Sequence, residues 1–487
     1  MKETKNVETT KDQFKNYLKE HHKNPSTSSE YVRWMDEIQD WFTSNGICES
    51  NFNIWLDTDS ISSINLKLSN EKKKIWKQLN KEKSNWYSAP WNKWVAFNKL
   101  RHKKNSDSSN VKEIITVIAK YIKDQGFHFT YKEIANFYLS LKTKPFVILA
   151  GISGTGKSQL PKLFARSLGL NTGNGYVSLV PVRPDWTDGS DLLGYTGLDG
   201  SFIPKGLTLS ILKAKAEPQK PHFFILDEMN LARVEHYFSD FLSVIETREW
   251  SEGLVGNIIS NRLIREEMLL DAKNKKDYSD ITWPDNLYLI GTVNMDETTH
   301  AFSRKVLDRA NSIEMNEVNL DWILSSVGKS ESVPDISNDL LRSKYLSSKD
   351  IPLEHREKVK EEMDFLKKVN AVLEKADLHF AYRVRDEVAF YLLLNKEHDL
   401  MSIQEAMDFQ LMQKVLPRIH GSSERVQSVL VELFNLLEDQ VFQTRTFEIE
   451  EIEKYLQSNN LKYPRSSKKI IFMLRRYDDD RFTSFWL

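Results

Sequence analysis

The residues with the clearest chemistry are Gly151-Ile152-Ser153-Gly154-Thr155-Gly156-Lys157-Ser158. Gly151, Gly156, Lys157 and Ser158 fill every fixed position of the G-x-x-x-x-G-K-[ST] phosphate-binding pattern. Glycines let a backbone turn so that successive N–H groups face phosphate oxygens. A helix opening at Gln159 adds its positive N-terminal end. Lys157 is placed to neutralise the outer phosphates and Ser158 to hold Mg²⁺. The whole loop, with Gln159, is the predicted phosphate cradle. A second reactive set is H-F-F-I-L-D-E-M-N, His222 to Asn230. Its apolar run delivers Asp227 and Glu228 at a strand end. Asp227 is placed for the Mg²⁺ shell, and Glu228 to polarise an attacking water. A third apolar strand, Leu287 to Val293, ends at Asn294, which can hydrogen-bond that water or the γ-phosphate.

These residues need elements to carry them. Helices are expected at Val111–Gln125 and Thr130–Leu141, leading into the strand before the loop. The loop's own helix runs from Gln159 to Leu168. Tyr176–Val182 is a strand, followed by a glycine-rich hairpin at Gly197–Gly206 and a helix at Leu207–Ala216. Leu231–Glu246 reads as one amphipathic helix with Val234, Phe238, Phe241 and Ile245 on one face. Thr247–Asn286 reads as irregular loop with a short helix near Asn261–Leu270. A short helix then faces Arg304, Lys305 and Arg309 outward. From Asn319 on, helical periods dominate: Glu357–Lys375, Glu387–Leu394, Ser402–Val415 and Arg425–Leu437. Ala381–Asp386 sits at a helix start, and the closing F-T-S-F-W-L is an apolar end that docks.

Residues 1–105 differ from the rest. They hold seven of the twelve tryptophans and 19 Lys/Arg against 13 Asp/Glu, in a chain of net charge −1. Helical spacing at Tyr31–Phe42, Glu71–Leu79 and Trp91–Leu100 predicts a small, mostly helical domain. Its basic runs, Glu71–Lys74 and Arg101–Lys104, could touch DNA phosphates; singly, the tryptophans read as core and the lysines as a solvated face. As a whole, residues 1–105 are expected to select a target. A polar linker, Asn105–Asn110, follows. The domains expected are therefore 1–105, 106–320 and 321–487. A single cysteine, Cys48, and a polar N-terminus suit a reducing cytoplasm. No apolar run approaches a membrane span. The histidines and lone cysteine form no zinc pattern, and the E-T-K at Glu3–Lys5 lacks the apolar strand a nuclease site requires, so DNA cleavage is assigned to another protein.

The order of phosphate loop, D-E strand, Asn-tipped strand, arginine and helical lid resembles the AAA+ NTPases. More narrowly it resembles the McrB family, the NTP-driven subunit of methylcytosine-dependent restriction systems, related to MoxR-type ATPases. The carriers are Arg183–Tyr195, Leu226–Phe238, Gly291–His300, Phe302–Asn311 and Ala381–Glu387, with Tyr463–Ile470 and the final F-T-S-F-W. The resemblance implies an α/β P-loop AAA+ core, a parallel sheet with flanking helices, followed by an all-helical lid. It implies a hexameric ring with nucleotide between subunits. Arg309 would be the arginine finger, with Arg304 or Lys305 competing or assisting; Arg383 would be the lid arginine on its own subunit's nucleotide, with Arg385 as alternative; Asn294 would be the sensor. It also implies an McrC-like nuclease partner, and DNA contact through residues 1–105. The alternative is a MoxR-like chaperone that remodels a protein without DNA. The family's M-N-T-A-D-R stands here as V-N-M-D-E-T, with Glu297 for Asp and Thr298 for Arg, and the nucleotide stays open between ATP and GTP. Residues 1–105 carry no match to the family's methylcytosine-reading domain.

Overall fold

The computed structural model describes residues 32–33, 35–40 and 111–486, apart from 255–256, 265–266, 268, 271, 296–299, 301, 319–335, 444–448 and 459. The chain divides into two compact units, Met1–Ser108 and Ser109–Leu487. Of the first, the described residues are helical, with Val32, Met35 and Ile38 buried. That agrees with the period at Tyr31–Phe42; Glu71–Leu79, Trp91–Leu100 and the basic runs lie outside the described residues.

The second unit is built on a five-stranded sheet in the order β2-β5-β8-β1-β9. The strands are β1 (Phe146–Gly151), β2 (Val177–Pro181), β5 (His222–Asp227), β8 (Leu287–Asn294) and β9 (Asn311–Glu314), all paired in parallel. Near-continuous apolar runs suit strands covered on both faces. Alternation then sorts the side chains. Val147, Leu149, Phe223, Ile225, Tyr288 and Ile290 enter one core, while Phe146, Ile148, Ala150, Phe224, Leu226 and Leu289 enter the other. The first face is covered by helices α1 (residues 111–124), α2 (Tyr131–Thr143) and α3 (Gln159–Ser167). α2 starts on a capping box in which Thr130 and Glu133 exchange bonds. The second face is covered by α4 (Gly206–Ala216), a two-stranded hairpin of β3 (Gly194–Thr196) with β4 (Phe202–Pro204), and the segment 229–247.

The C-terminal region is helical: α5 (Lys360–Glu374), α6 (Tyr382–His398), α7 (Ile403–Gln410), α8 (Glu424–Glu438), α9 (Ile449–Ser458) and α10 (Pro464–Asp480). It shares the first core with the sheet. The docked end is real: Thr483 and Phe485 are buried, and β11 (Thr483–Ser484) pairs with β10 (His420–Gly421). The architecture is thus an α/β core with a helical C-terminal region. Among the described residues no helix is long and apolar enough to cross a membrane.

Five points of the sequence reading need correction. Leu231–Glu246 is no single helix: it is broken into one-turn pieces at Met229–Leu231, Val234–Tyr237, Ser239–Val244 and Ile245–Thr247. Its four apolar residues are all buried as expected, but aromatic packing sets the path. Phe238 stacks on Phe241 at 4.4 Å, and both lie edge-on to Phe146. Thr247–Asn286 is more regular than predicted, with a hairpin of β6 (Glu249–Leu254) and β7 (Ile258–Ile259) and a helix at Ala272–Tyr278 rather than 261–270. The predicted helix Glu357–Lys375 is interrupted, and Ser402–Val415 ends in a π-helical turn at Leu411–Val415. Finally β9, at the sheet edge, was not anticipated; N-S-I-E is too short and mixed to carry a period.

Candidate functional site

Parallel pairing brings the C-terminal ends of the strands level. Gly151 stands opposite Asn294, Ala150 opposite Glu314, and Leu226 opposite Gly291. In open α/β sheets this is the edge where ligands bind. The glycine loop springs from it. Gly151 has no room for a side chain, since a Cβ would stand 2.4 Å from the Met315 carbonyl oxygen. Gly156 takes φ +86°, a conformation open to glycine. Thr155 Oγ1 and Lys157 Nζ both donate to the Ile152 carbonyl, at 3.0 and 2.5 Å. Lys157 is thereby held, nearly buried, inside its own loop. Gln159 and Leu160 bond back to the Gly156 carbonyl and begin α3, whose first turn has no acidic residue and no side-chain cap. A glycine-rich turn at a helix start, with a lysine in it, suits an anion.

The carboxylates meet this loop. Ser158 Oγ donates to Asp227 Oδ1 at 2.6 Å. Thr292 Oγ1 donates to the same oxygen at 2.6 Å and accepts the Glu228 N–H at 3.1 Å. Asn294 Nδ2 donates to Glu228 Oε1 at 3.0 Å, and Asn230 Nδ2 fixes the Asn294 carbonyl at 2.9 Å. Glu228 sits at φ 54°, a left-handed conformation sparsely used by residues other than glycine. Such outliers persist where surroundings over-determine them, and here Thr292 does so. Thr292 was missed from sequence. Its signal was a hydroxyl, two residues before Asn294, in an otherwise apolar strand.

The structure therefore brings together Ser158, Asp227, Glu228 and Asn294. One hydroxyl and one carboxylate suit Mg²⁺, which takes few protein oxygens and leaves positions for water and phosphate. Ser158 and Asp227 would hold it. Among the described residues no group of three His, Cys, Asp or Glu side chains forms a fuller metal cage.

The helical region faces the loop across a cavity of about 590 Å³. The loop contributes Gly154, Thr155 and Gly156, the segment before α2 contributes Phe127 and Phe129, and α10 contributes Arg465, Lys468 and Lys469. The start of α10 is fixed by buried Asp408, which accepts the Arg465 and Ser466 N–H groups at 2.9 Å and the Ser466 hydroxyl at 2.5 Å. Burial pushes the Asp408 carboxyl above its ordinary value despite these donors.

The two predicted arginines lie elsewhere. Arg383, expected over its own subunit's nucleotide, does not line the cavity. It lines a second hollow with Asp308, Tyr382 and Arg418, and forms an ion pair with Glu246. Arg309 is not outward-facing as predicted: it is half-buried, with Nε 3.7 Å from Glu246, while Arg304 and Lys305 are exposed. Arg385 pairs with its neighbour Asp386. Lys144 also reaches Glu246, at 3.5 Å, and bonds Glu387 at 2.5 Å; Lys414 bonds Glu387 at 2.5 Å as well. Burial alone would raise the Glu387 carboxyl, but the two lysines hold it below its ordinary value. Burial pulls both lysines down, against the attraction of Glu387. Arg418 pairs with Asp308.

A protein-family model described as a domain of unknown function (DUF8727) matches residues 330–482. The match covers the helical region, including Arg383 and Arg465, and leaves the glycine loop outside it. No curated protein matches the chain.

Proposed function

We propose that this chain is a Mg²⁺-dependent nucleoside triphosphatase of the AAA+ type, hydrolysing ATP or GTP. One observation carries the reading: Ser158, Asp227, Thr292, Glu228 and Asn294 form a continuous hydrogen-bonded set at the strand ends beside the glycine loop. In this reading the loop N–H groups and Lys157 bind the phosphates. Ser158 and Asp227 hold Mg²⁺, which when bound neutralises charge on the phosphate oxygens. Glu228, aimed by Asn294, takes a proton from the attacking water. The Asn294–Glu228 hydrogen bond makes the two act together.

The site is completed by a neighbouring copy. Arg309 and Arg383 converge on Glu246, away from the chain's own loop cavity. We assign both to the neighbour's γ-phosphate, and give Arg465 the cation role over the chain's own nucleotide. The closed ring this implies is heterologous, head to tail, and is proposed to be hexameric. The sequence resemblance supports the narrower reading: a McrB-like motor or recognition subunit acting in defence against foreign DNA, with a separate McrC-like nuclease and with residues 1–105 contacting DNA. A MoxR-like chaperone is the competing outcome.

The test is turnover by the full chain with Mg²⁺ and ATP or GTP, with and without DNA. Hydrolysis lost in Glu228→Gln supports the reading. Wild-type protein that turns over neither nucleotide, assembled and with DNA present, refutes it. Salt-sensitive binding of DNA supports the restriction role, whereas hydrolysis with no DNA binding at low salt favours the chaperone.

A further inference from the structure

β9 ends at Glu314, on the sheet edge beside β1. The next residues stay on the loop: the Met315 N–H continues the ladder to the Ala150 carbonyl at 2.8 Å, and Asn316 Oδ1 accepts the Ile152 N–H at 3.0 Å. The other half of that amide, Nδ2, donates to Glu314 Oε1 at 2.8 Å. The same oxygen accepts from Lys469 Nζ of α10 at 2.5 Å. Lys469 is nearly buried, its ammonium 4.6 and 4.5 Å from the ring centroids of Phe472 and Phe485. Burial lowers its proton affinity, and Glu314 partly offsets this.

We propose that Lys469, Glu314 and Asn316 are positioning residues that couple the place of α10 to the backbone direction of the glycine loop. The proposal rests on the nucleotide-binding reading of that loop. Each group has a defined role. Lys469 brings a charge that must stay paired, because a buried ion left alone is costly. Glu314 bridges the helix and the amide. Asn316 needs both its acceptor and its donor, so that Ile152 N–H is fixed only while Glu314 is in place. The helix that carries this anchor also carries Arg465 and Lys468 into the cavity. A shift of α10 therefore moves its cations and the loop together, and nucleotide affinity and helix position are reciprocally linked.

The experiment measures binding of fluorescent ATP and GTP analogues, with Mg²⁺, to the full-length protein. The variants are Lys469→Met, Lys469→Arg, Asn316→Ala and the double Lys469→Met/Asn316→Ala, with Lys157→Ala as control. Lys469→Met and Asn316→Ala should each weaken binding by about tenfold. The double variant should be no weaker than the worse single, and Lys469→Arg should restore most of the affinity. Thermal unfolding of the nucleotide-free variants, with Tm near that of the wild type, separates coupling from misfolding. Hydrogen exchange of α10 in the wild type should slow when nucleotide binds, and this reading does not depend on any variant folding. Additive losses in the double, a single that binds like the wild type, or unchanged exchange overturn the relay while leaving nucleotide binding intact. Wild-type protein that binds neither analogue, or Lys157→Ala that binds normally, overturns the underlying reading and the relay with it.

Discussion

Two charged regions of the second unit are built on opposite plans. At the glycine loop, Asp227 and Glu228 are met by neutral donors: Ser158 and Thr292 on Asp227, and Asn294 on Glu228. Their charge remains available to a cation, and the loop offers N–H groups to an anion. Around Glu246 the carboxylates are outnumbered. Arg309, Arg383, Lys144, Lys414 and Arg418 are five cations on three carboxylates, Glu246, Glu387 and Asp308. Lys144 and Lys414 lie buried on Glu387, while Arg309, Arg383 and Arg418 are not buried and outnumber Glu246 and Asp308, so that these three make a face suited to an added anion. One region has what the other lacks, and on the proposed function a phosphate bound by one copy is the anion that the next copy's face receives. Arg309 meets Glu246 through a long charge contact at 3.7 Å and donates from Nη1 to the Lys305 carbonyl at 2.9 Å.

The comparison can be broken by measurement. The largest effect is expected at the loop: Lys157→Ala should abolish nucleotide binding as well as hydrolysis, read by titration with a fluorescent analogue. Next, Arg309→Ala should lower turnover about 10³-fold or more while its own nucleotide affinity is kept. Mixing that variant with Lys157→Ala should restore part of the activity, because each supplies the half-site the other lacks; no recovery on mixing would place Arg309 and the loop in one subunit's site. Arg383→Ala should behave like Arg309→Ala with a smaller loss. If instead it weakens nucleotide binding by its own subunit, Arg383 acts over its own loop after all.

A stability effect follows. Glu387→Gln removes the carboxylate shared by buried Lys144 and Lys414, leaving Lys144 the longer contact to Glu246 and Lys414 the Ala310 carbonyl, and should cost about 3 kcal/mol in denaturant unfolding. Its pH dependence has a fixed sign. The folded carboxyl titrates below its ordinary 4.5, so the unfolded chain binds more protons in acid. The stabilisation is present above that value and is lost as pH falls through the lower, folded one; Glu387→Gln should flatten this acid limb. The smallest effect is at Thr292→Val, which removes the hydroxyl shared by Asp227 and the Glu228 N–H. It should cost about 1–3 kcal/mol, seen as a drop in kcat with nucleotide affinity little changed.

Much of the core was legible because its signals are local. The apolar runs at Phe146–Ala150, Phe223–Leu226 and Leu287–Val293 became strands, and each carries its reactive residue at the predicted end. Where the reading failed, packing had overruled period. Val234, Phe238, Phe241 and Ile245 satisfy a helical spacing, yet broken turns bury them equally well against Phe146. β9 carries too few residues for a pattern, and only pairing with β1 makes it a strand.

Residue type and spacing alone determined the glycine loop, the Asp227–Glu228 pair and the Asn294 tip, because each is set by a few consecutive residues on one strand and the loop or turn after it. The partners of Arg309 and Arg383, the presence of Arg465, Lys468 and Lys469 on the cavity beside the loop, and the place of Thr292 between two carboxylate residues were decided only by tertiary structure. These contacts join positions scores of residues apart, from Lys144 to Lys469. What brings them together is the stacking of strand ends and the seating of one helix N-terminus, which no local stretch of sequence encodes.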